Sequence, residues 1–148
     1  MTMNHVEAAR LWCLDMARRL PKQDIRPNAT PYLTRYFAAG WSPFGAPAGP
    51  SIFLHHFVAS DPNDAVHSHP WDWGCSLILV GGYVEHRHVD TGAGVAVVSR
   101  NFEAGDVNVI LPTDRHRVDL LGADCWSLFL AGVYAQPWGF YPLPKGTP

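Results

Sequence analysis

The sequence predicts an all-β fold, an antiparallel barrel of jelly-roll type with one N-terminal amphipathic helix. Three observations carry that expectation. From residue 32 onward the apolar pattern has period two, turn signals cut it into eight short segments, and only one earlier stretch has helical period. The 148 residues suit one domain, and 47% apolar against 16% charged residues is enough to bury a core. The 13 glycines and 13 prolines are spread along the chain, as many short strands joined by turns require.

The helix is expected over 5–20. Val6, Ala9, Cys13, Met16 and Leu20 recur at three- and four-residue steps and form one apolar stripe. Asn4 stands at the cap with Glu7 in the capping-box position, and Pro21 ends the element. Strands are expected at 32–38, 52–59, 75–80, 83–90, 95–102, 107–111, 116–121 and 125–131. They are rich in Val, Ile, Phe and Tyr. Gly81-Gly82, Thr91-Gly92-Ala93-Gly94, Ala104-Gly105-Asp106 and Gly122-Ala123-Asp124 separate them as turns. The 42–51 stretch reads as a loop. The tail packs across the barrel through Trp138, Phe140 and Tyr141. The whole chain, 1–148, is thus one domain: helix 5–20, barrel about 31–135 and tail 136–148.

A formal net charge of -2, with no block of Lys or Arg, argues against a nucleic-acid groove or an anionic membrane surface as partner. Cys13, Cys75 and Cys125 contain no C-x-x-C pair, so a reducing, cytoplasmic location is expected. No apolar run approaches the roughly 18 residues of a membrane span, and the start lacks a signal-peptide core. A homodimer is the expected assembly, with the 32–38 segment as an edge strand that pairs across a two-fold axis.

Two segments carry the chemistry. In the first, Asp64 to Trp73, His67 and His69 stand at i and i+2 of an extended chain and so project from one side of it. In the second, Gly105-Asp106 is followed by Pro112 and His116, a strand, turn and strand that can bring a third imidazole from a distant part of the chain.

Together these segments resemble the two motifs of the cupin superfamily. The first motif is H-x-H, a glutamate and a closing glycine; the second is G-D, a proline turn and a histidine. His67 and His69 match the first pair and Gly81 its glycine. Gly105 and His116 match the second motif at the family's spacing, with Pro112 one residue late. The resemblance spans roughly residues 50 to 131. It implies a jelly-roll barrel holding one divalent metal ion with His67, His69 and His116 as ligands. Trp73 and Gly74 stand where the motif has its glutamate. Either three histidines suffice, as in thiol-dioxygenase-like cupins, or Asp72 or Glu85 completes the site. The chain also resembles a narrower group of small cupin-like proteins of bacteria and phages. The matching elements are His55-His56-Phe57, His67 to Trp71, Gly81 to Glu85, His116-Arg117-Val118 and Trp138-Gly139-Phe140. That likeness sharpens the fold and the site but not the reaction.

Glu85 is the candidate catalytic group. It lies four residues past the Gly81 turn, beside the strand of His116 and on one face with Tyr83 and Arg87. As alternatives it is the missing ligand or an exposed hairpin residue. Arg87 and Arg100 are candidate inward anion anchors, whereas Arg117 points away from the metal. His55, His56, His86 and His88 read as surface or satisfied core residues. Cys75 reads as a small buried hydrophobe, and Trp71, Trp73 and Trp138 as rim packing. Neutral imidazoles suit Fe(II), Mn(II), Ni(II) or Zn(II), with Fe(II) the first expectation. Three protein ligands leave positions for a substrate and for oxygen or water. The expected function is a mononuclear metal-dependent enzyme with dioxygenase-like chemistry on a small organic molecule. The alternatives are a non-catalytic cupin that binds a small ligand and a metal-free barrel of sugar-nucleotide-epimerase type.

Overall fold

Helix α1 (His5–Arg19) forms where the cap and the stripe place it. Asn4 Oδ1 accepts from the Glu7 N–H at 2.8 Å, and Glu7 Oε2 accepts from the Asn4 N–H at 3.1 Å. Leu20 is the C-cap, and the chain turns extended before Pro21. The computed structural model describes residues 4–26, 29–40, 49–62 and 65–143. Most of the 42–51 loop lies outside them.

Nine strands follow: β1 (Lys22–Ile25), β2 (Leu33–Ala39), β3 (Ser51–Phe57), β4 (Ala65–His67), β5 (Gly74–Asp90), β6 (Val95–Glu103), β7 (Val107–Ile110), β8 (Arg115–Ala131) and β9 (Phe140–Pro142). All pairings are antiparallel, with the order β1-β2-β3-β8-β4-β9, and β5 joins β8 to β6 and β7. The sheet curls on itself, and its two long strands run through both halves of the curl.

Those long strands correct the sequence reading. Segments 75–80 and 83–90 are one strand, β5, and segments 116–121 and 125–131 are one strand, β8. The glycines between them mark irregularities, not hairpins. The β5–β8 register shifts between Ile78 and Val80 and again between Gly81 and Tyr83. The shift changes which face the side chains take. Ile78 joins Tyr83, Phe102, Val118 and Cys125 in one cluster. Val80 joins Tyr36, Leu54 and Trp126 in another, under α1. Gly81 has φ +72°, and a Cβ there would stand 2.2 Å from the Asp124 carbonyl oxygen. Gly81→Ala is therefore expected to lower stability by more than about 2 kcal/mol, through positive φ and a clash with backbone. Urea unfolding checks this; an unchanged midpoint would contradict it.

The expected edge strand is also corrected. Segment 32–38 forms β2, and β1 pairs with it in register from Lys22↔Tyr36 to Ile25↔Leu33, so that its free edge is covered. Strand β1 carries no sequence signal, because Lys-Gln-Asp-Ile has no apolar alternation and three of its four residues are exposed. Of the tail, Phe140 and Tyr141 pack as expected, since β9 pairs with β4, whereas Trp138 is half-exposed and residues 144–148 lie outside the described ones. Among the described residues no helix is long and apolar enough to cross a membrane.

Helix α1 lays Ala9, Cys13, Met16, Ala17 and Leu20 on the outer face of the sheet. Arg10 pins it there, with Nη1 and Nη2 donating to the Asp124 carboxylate at 2.8 and 2.9 Å. The Arg10 hydrogen bonds, helped by His56 and Trp126, hold the Asp124 carboxyl down at about 2, against the effect of burial. A depressed carboxyl stabilises the fold above its unfolded pKa of about 4, and that contribution is lost as pH falls towards 2. Asp124→Asn should lower stability at neutral pH by about 1 kcal/mol, since the pair is partly solvated. It should also flatten the acid limb of a stability–pH profile below about pH 4; an unaltered acid limb would contradict this.

Candidate metal centre

His67 is the last residue of β4, and His69 follows two residues on. His116 is the second residue of β8 and sits opposite His67 in the β4–β8 register. The pairing of two distant segments thus brings the three imidazoles together. His116 Nε2 lies 2.9 Å from His69 Nε2 and 3.1 Å from His67 Nε2. All three rings offer a ligand atom within 4.8 Å of the others. Nitrogens bound at about 2.1 Å and at right angles to one another stand about 3.0 Å apart, against about 3.4 Å for a tetrahedral pair. The two spacings thus fit neighbouring positions around one six-coordinate ion.

The backs of two rings face buried acids. His116 Nδ1 donates to Glu85 Oε1, which leaves Nε2 with its lone pair towards the other rings. The same Glu85 oxygen accepts from Arg87 Nη2 at 2.9 Å and Asn108 Nδ2 at 3.0 Å. Burial opposes ionisation of Glu85, but the hydrogen bonds from His116, Arg87 and Asn108 outweigh it and bring the carboxyl to about 2. Arg87 also pairs with Asp114 at 2.9 Å. His67 Nδ1 stands 3.1 Å from Asp61 Oδ2, which accepts from the Val118 N–H at 2.7 Å. Burial would raise the Asp61 carboxyl, yet His67, Tyr32 and Val118 bring it below its ordinary value. Burial, with His67 and His116 nearby, holds His69 well below the usual histidine range. Burial and His67 lower His116 despite Glu85. Neutral imidazoles are the form that coordinates a cation.

The triad lines a cavity of about 200 Å³. Phe129, Ile110 and the fully buried Trp71 form apolar wall, and the half-exposed Tyr134 and Trp138 stand at its mouth. Trp71 is thus interior wall and not rim. Glu85 does not line this cavity, because its carboxylate lies behind His116 and reaches the centre only through that ring. Asp72 is turned away, with Oδ1 accepting from the Val133 N–H at 2.9 Å. Of the expected anion anchors, Arg87 is held by Glu85 and Asp114, and Arg100 lies over the Phe102 ring. Arg117 reaches Asp119 on the outward alternation. His56 stacks on Trp126 on the outer face, and His86 faces Ser99 and Asp119.

Three residues at the site went unread in the sequence. Asp61 sits in an Ala-Ser-Asp-Pro stretch that looks like a plain turn. Gln136 donates from Nε2 to the His69 and Pro112 carbonyls, at 2.8 and 2.6 Å, and so ties the two histidine segments together. Arg35 did leave a signal, a charge between Leu33 and Phe37 on the inward alternation of β2.

Solved structures with this architecture can now be set beside it. The DMSP lyase DddQ from Ruegeria pomeroyi aligns with TM-score 0.66 and 14% identity, over 99% of this chain and 73% of its own. The Mn(II)-containing oxalate decarboxylase OxdC of Bacillus subtilis aligns at 0.54 and 17%, over 78% and 29%. Fe(II)-HppE with the alternative substrate (S)-1-HPP aligns at 0.59 and 10%, over 78% and 57%. The fold is a cupin fold. At these identities the likeness concerns the cupin architecture alone, and the chain spans well under two thirds of the decarboxylase and of HppE. No family model and no curated protein matches the sequence.

Proposed function

We propose that this cupin is a mononuclear metal-dependent enzyme acting on a small organic molecule, with dioxygenase-like chemistry as its reaction. One observation carries the reading: three Nε2 atoms converge on the wall of a small, largely apolar cavity while buried acids stand behind two of the rings. Two of the structural neighbours are described with Fe(II) and Mn(II), which supports a divalent ion here, with Fe(II) as first choice. A bound redox-active ion would supply a place where substrate and dioxygen are activated together.

The chain's own part is positional. Glu85 orients His116 through Nδ1, the Asp61 carboxylate stands 3.1 Å from His67 Nδ1, and Gln136 fixes the backbone at His69. Trp71, Phe129 and Ile110 give the cavity an apolar wall. Glu85 carries no proton to substrate directly; it acts as the positioning residue of His116. The neighbours named above carry out different reactions on one architecture, so the site and not the fold has to decide the chemistry.

Oxygen uptake by the Fe(II)-loaded protein with a panel of small organic acids and thiols tests this reading. The expected result is uptake matched by substrate loss, and none with the Zn(II)-loaded protein. Equal turnover by both forms without oxygen consumption would replace oxygenation by Lewis-acid chemistry. Ligand binding with no turnover in any metal form would leave a non-catalytic cupin.

A further inference from the structure

Arg35 on β2 and His55 on β3 face each other in register, and both line the cavity that the three histidines line. The strand positions they occupy belong to apolar residues, with Leu33 and Phe37 beside Arg35 and Phe53 and Phe57 beside His55. Arg35 Nε–H donates to His55 Nε2 at 3.2 Å. Burial, and then the Arg35 charge, holds His55 well below the usual histidine range, so it is a neutral acceptor and no counter-ion. The guanidinium carbon lies 4.9 Å from the centre of the Phe53 ring and 5.3 Å from that of Trp71. Among the described residues no carboxylate pairs with Arg35, while the acids near the site are taken by His67, His116 and Arg87. Burial lowers Arg35 only to about 10, so it is a cation at neutral pH.

Arg35 is half-buried, and a cation that gives up part of its hydration without an anionic partner leaves that cost without an offset. Here Nε is engaged and the two ring contacts restrain the guanidinium, which leaves the planar Nη1–Nη2 edge as a donor pair with no partner among the described residues. That edge matches the two oxygens of a carboxylate. We propose that Arg35 anchors the carboxylate of a small anionic substrate bound beside the three histidines. The proposal deepens the enzymatic reading above and rests on it for what happens at the other end of the substrate. The cavity, about 200 Å³, is smaller than the roughly 300–1,000 Å³ of ordinary ligand pockets, so the acid is a short one. Its remaining wall, with Trp71, Phe129 and Ile110, suits an apolar body better than a second charge.

The probe is 3,3,3-trifluoropropionate, followed by fluorine NMR on the Zn(II)-loaded protein, with trifluoropropionamide as its neutral counterpart. The acid should bind at least about tenfold more tightly than the amide, as a charge-assisted pair implies. Arg35→Gln should lose at least about tenfold in affinity for the acid while retaining the wild-type zinc content. Arg35→Lys, which keeps the charge without the fork, should fall between the two and serves as the readout should Arg35→Gln not fold. Equal affinity of wild type and Arg35→Gln, both holding zinc, would place the carboxylate on the metal and overturn the proposal. So would equal binding of acid and amide, or binding of neither. A wild-type protein that takes up no zinc, yet binds the acid through Arg35, would sink the metal reading and leave this one standing.

Discussion

His116→Ala is expected to reduce metal affinity by more than the roughly 10–100-fold that loss of an outer partner produces. His116 is the central member of the triad, with its Nε2 2.9 Å from that of His69 and 3.1 Å from that of His67. Removing it takes away one of three nitrogens. It also leaves the Glu85 carboxylate facing an empty ring position with only Arg87 and Asn108 as donors. Competition against a chelator of known affinity measures the loss, and circular dichroism checks that the barrel persists. A variant that retained stoichiometric metal with wild-type affinity would show that the triad is not the binding site.

Glu85→Gln is the second large effect and should weaken metal binding by about 10–100-fold with all three histidines intact. The amide keeps the shape but loses the negative charge that holds His116 in one tautomer and raises its basicity. Apo-protein stability should fall by about 1–3 kcal/mol, since a buried acceptor of three donors becomes a neutral one. The sign of the pH effect follows from the Glu85 carboxyl at about 2, below an unfolded value of about 4.5. Its contribution is complete above the unfolded pKa and is lost as pH falls towards 2, so the variant should be less sensitive to acid over that range. If Glu85→Gln left affinity and acid stability unchanged, Glu85 would not be the positioning residue of His116.

Much of the fold and the centre of the site were legible because they rest on local pattern. The capping box at Asn4 and Glu7, the alternation of the strands and the i, i+2 placement of His67 and His69 are short-range features, and each forms as expected. Glycine was the misleading signal. Gly81 has the positive φ of a turn, but in β5 that conformation makes a bulge, and Gly122 likewise lies within β8. A bulge and a hairpin use the same residue, and only long-range pairing tells them apart. The supporting residues stayed hidden for the same reason. Asp61 and Gln136 meet the histidine segments through contacts far apart in sequence. Arg35 was visible in principle, as a cation at an inward position of β2, but its meaning depends on the cross-strand pairing with His55.

The central claim is that His67, His69 and His116 hold one divalent ion. Inductively coupled plasma analysis of the purified wild-type protein, reconstituted with Fe(II) or Zn(II) and desalted, tests it most directly when run beside the His67→Ala/His69→Ala/His116→Ala variant. One metal ion per 16.4 kDa chain is expected for the wild type and none retained by the variant. A wild type that keeps no metal, or a folded variant that keeps as much as the wild type, would contradict it.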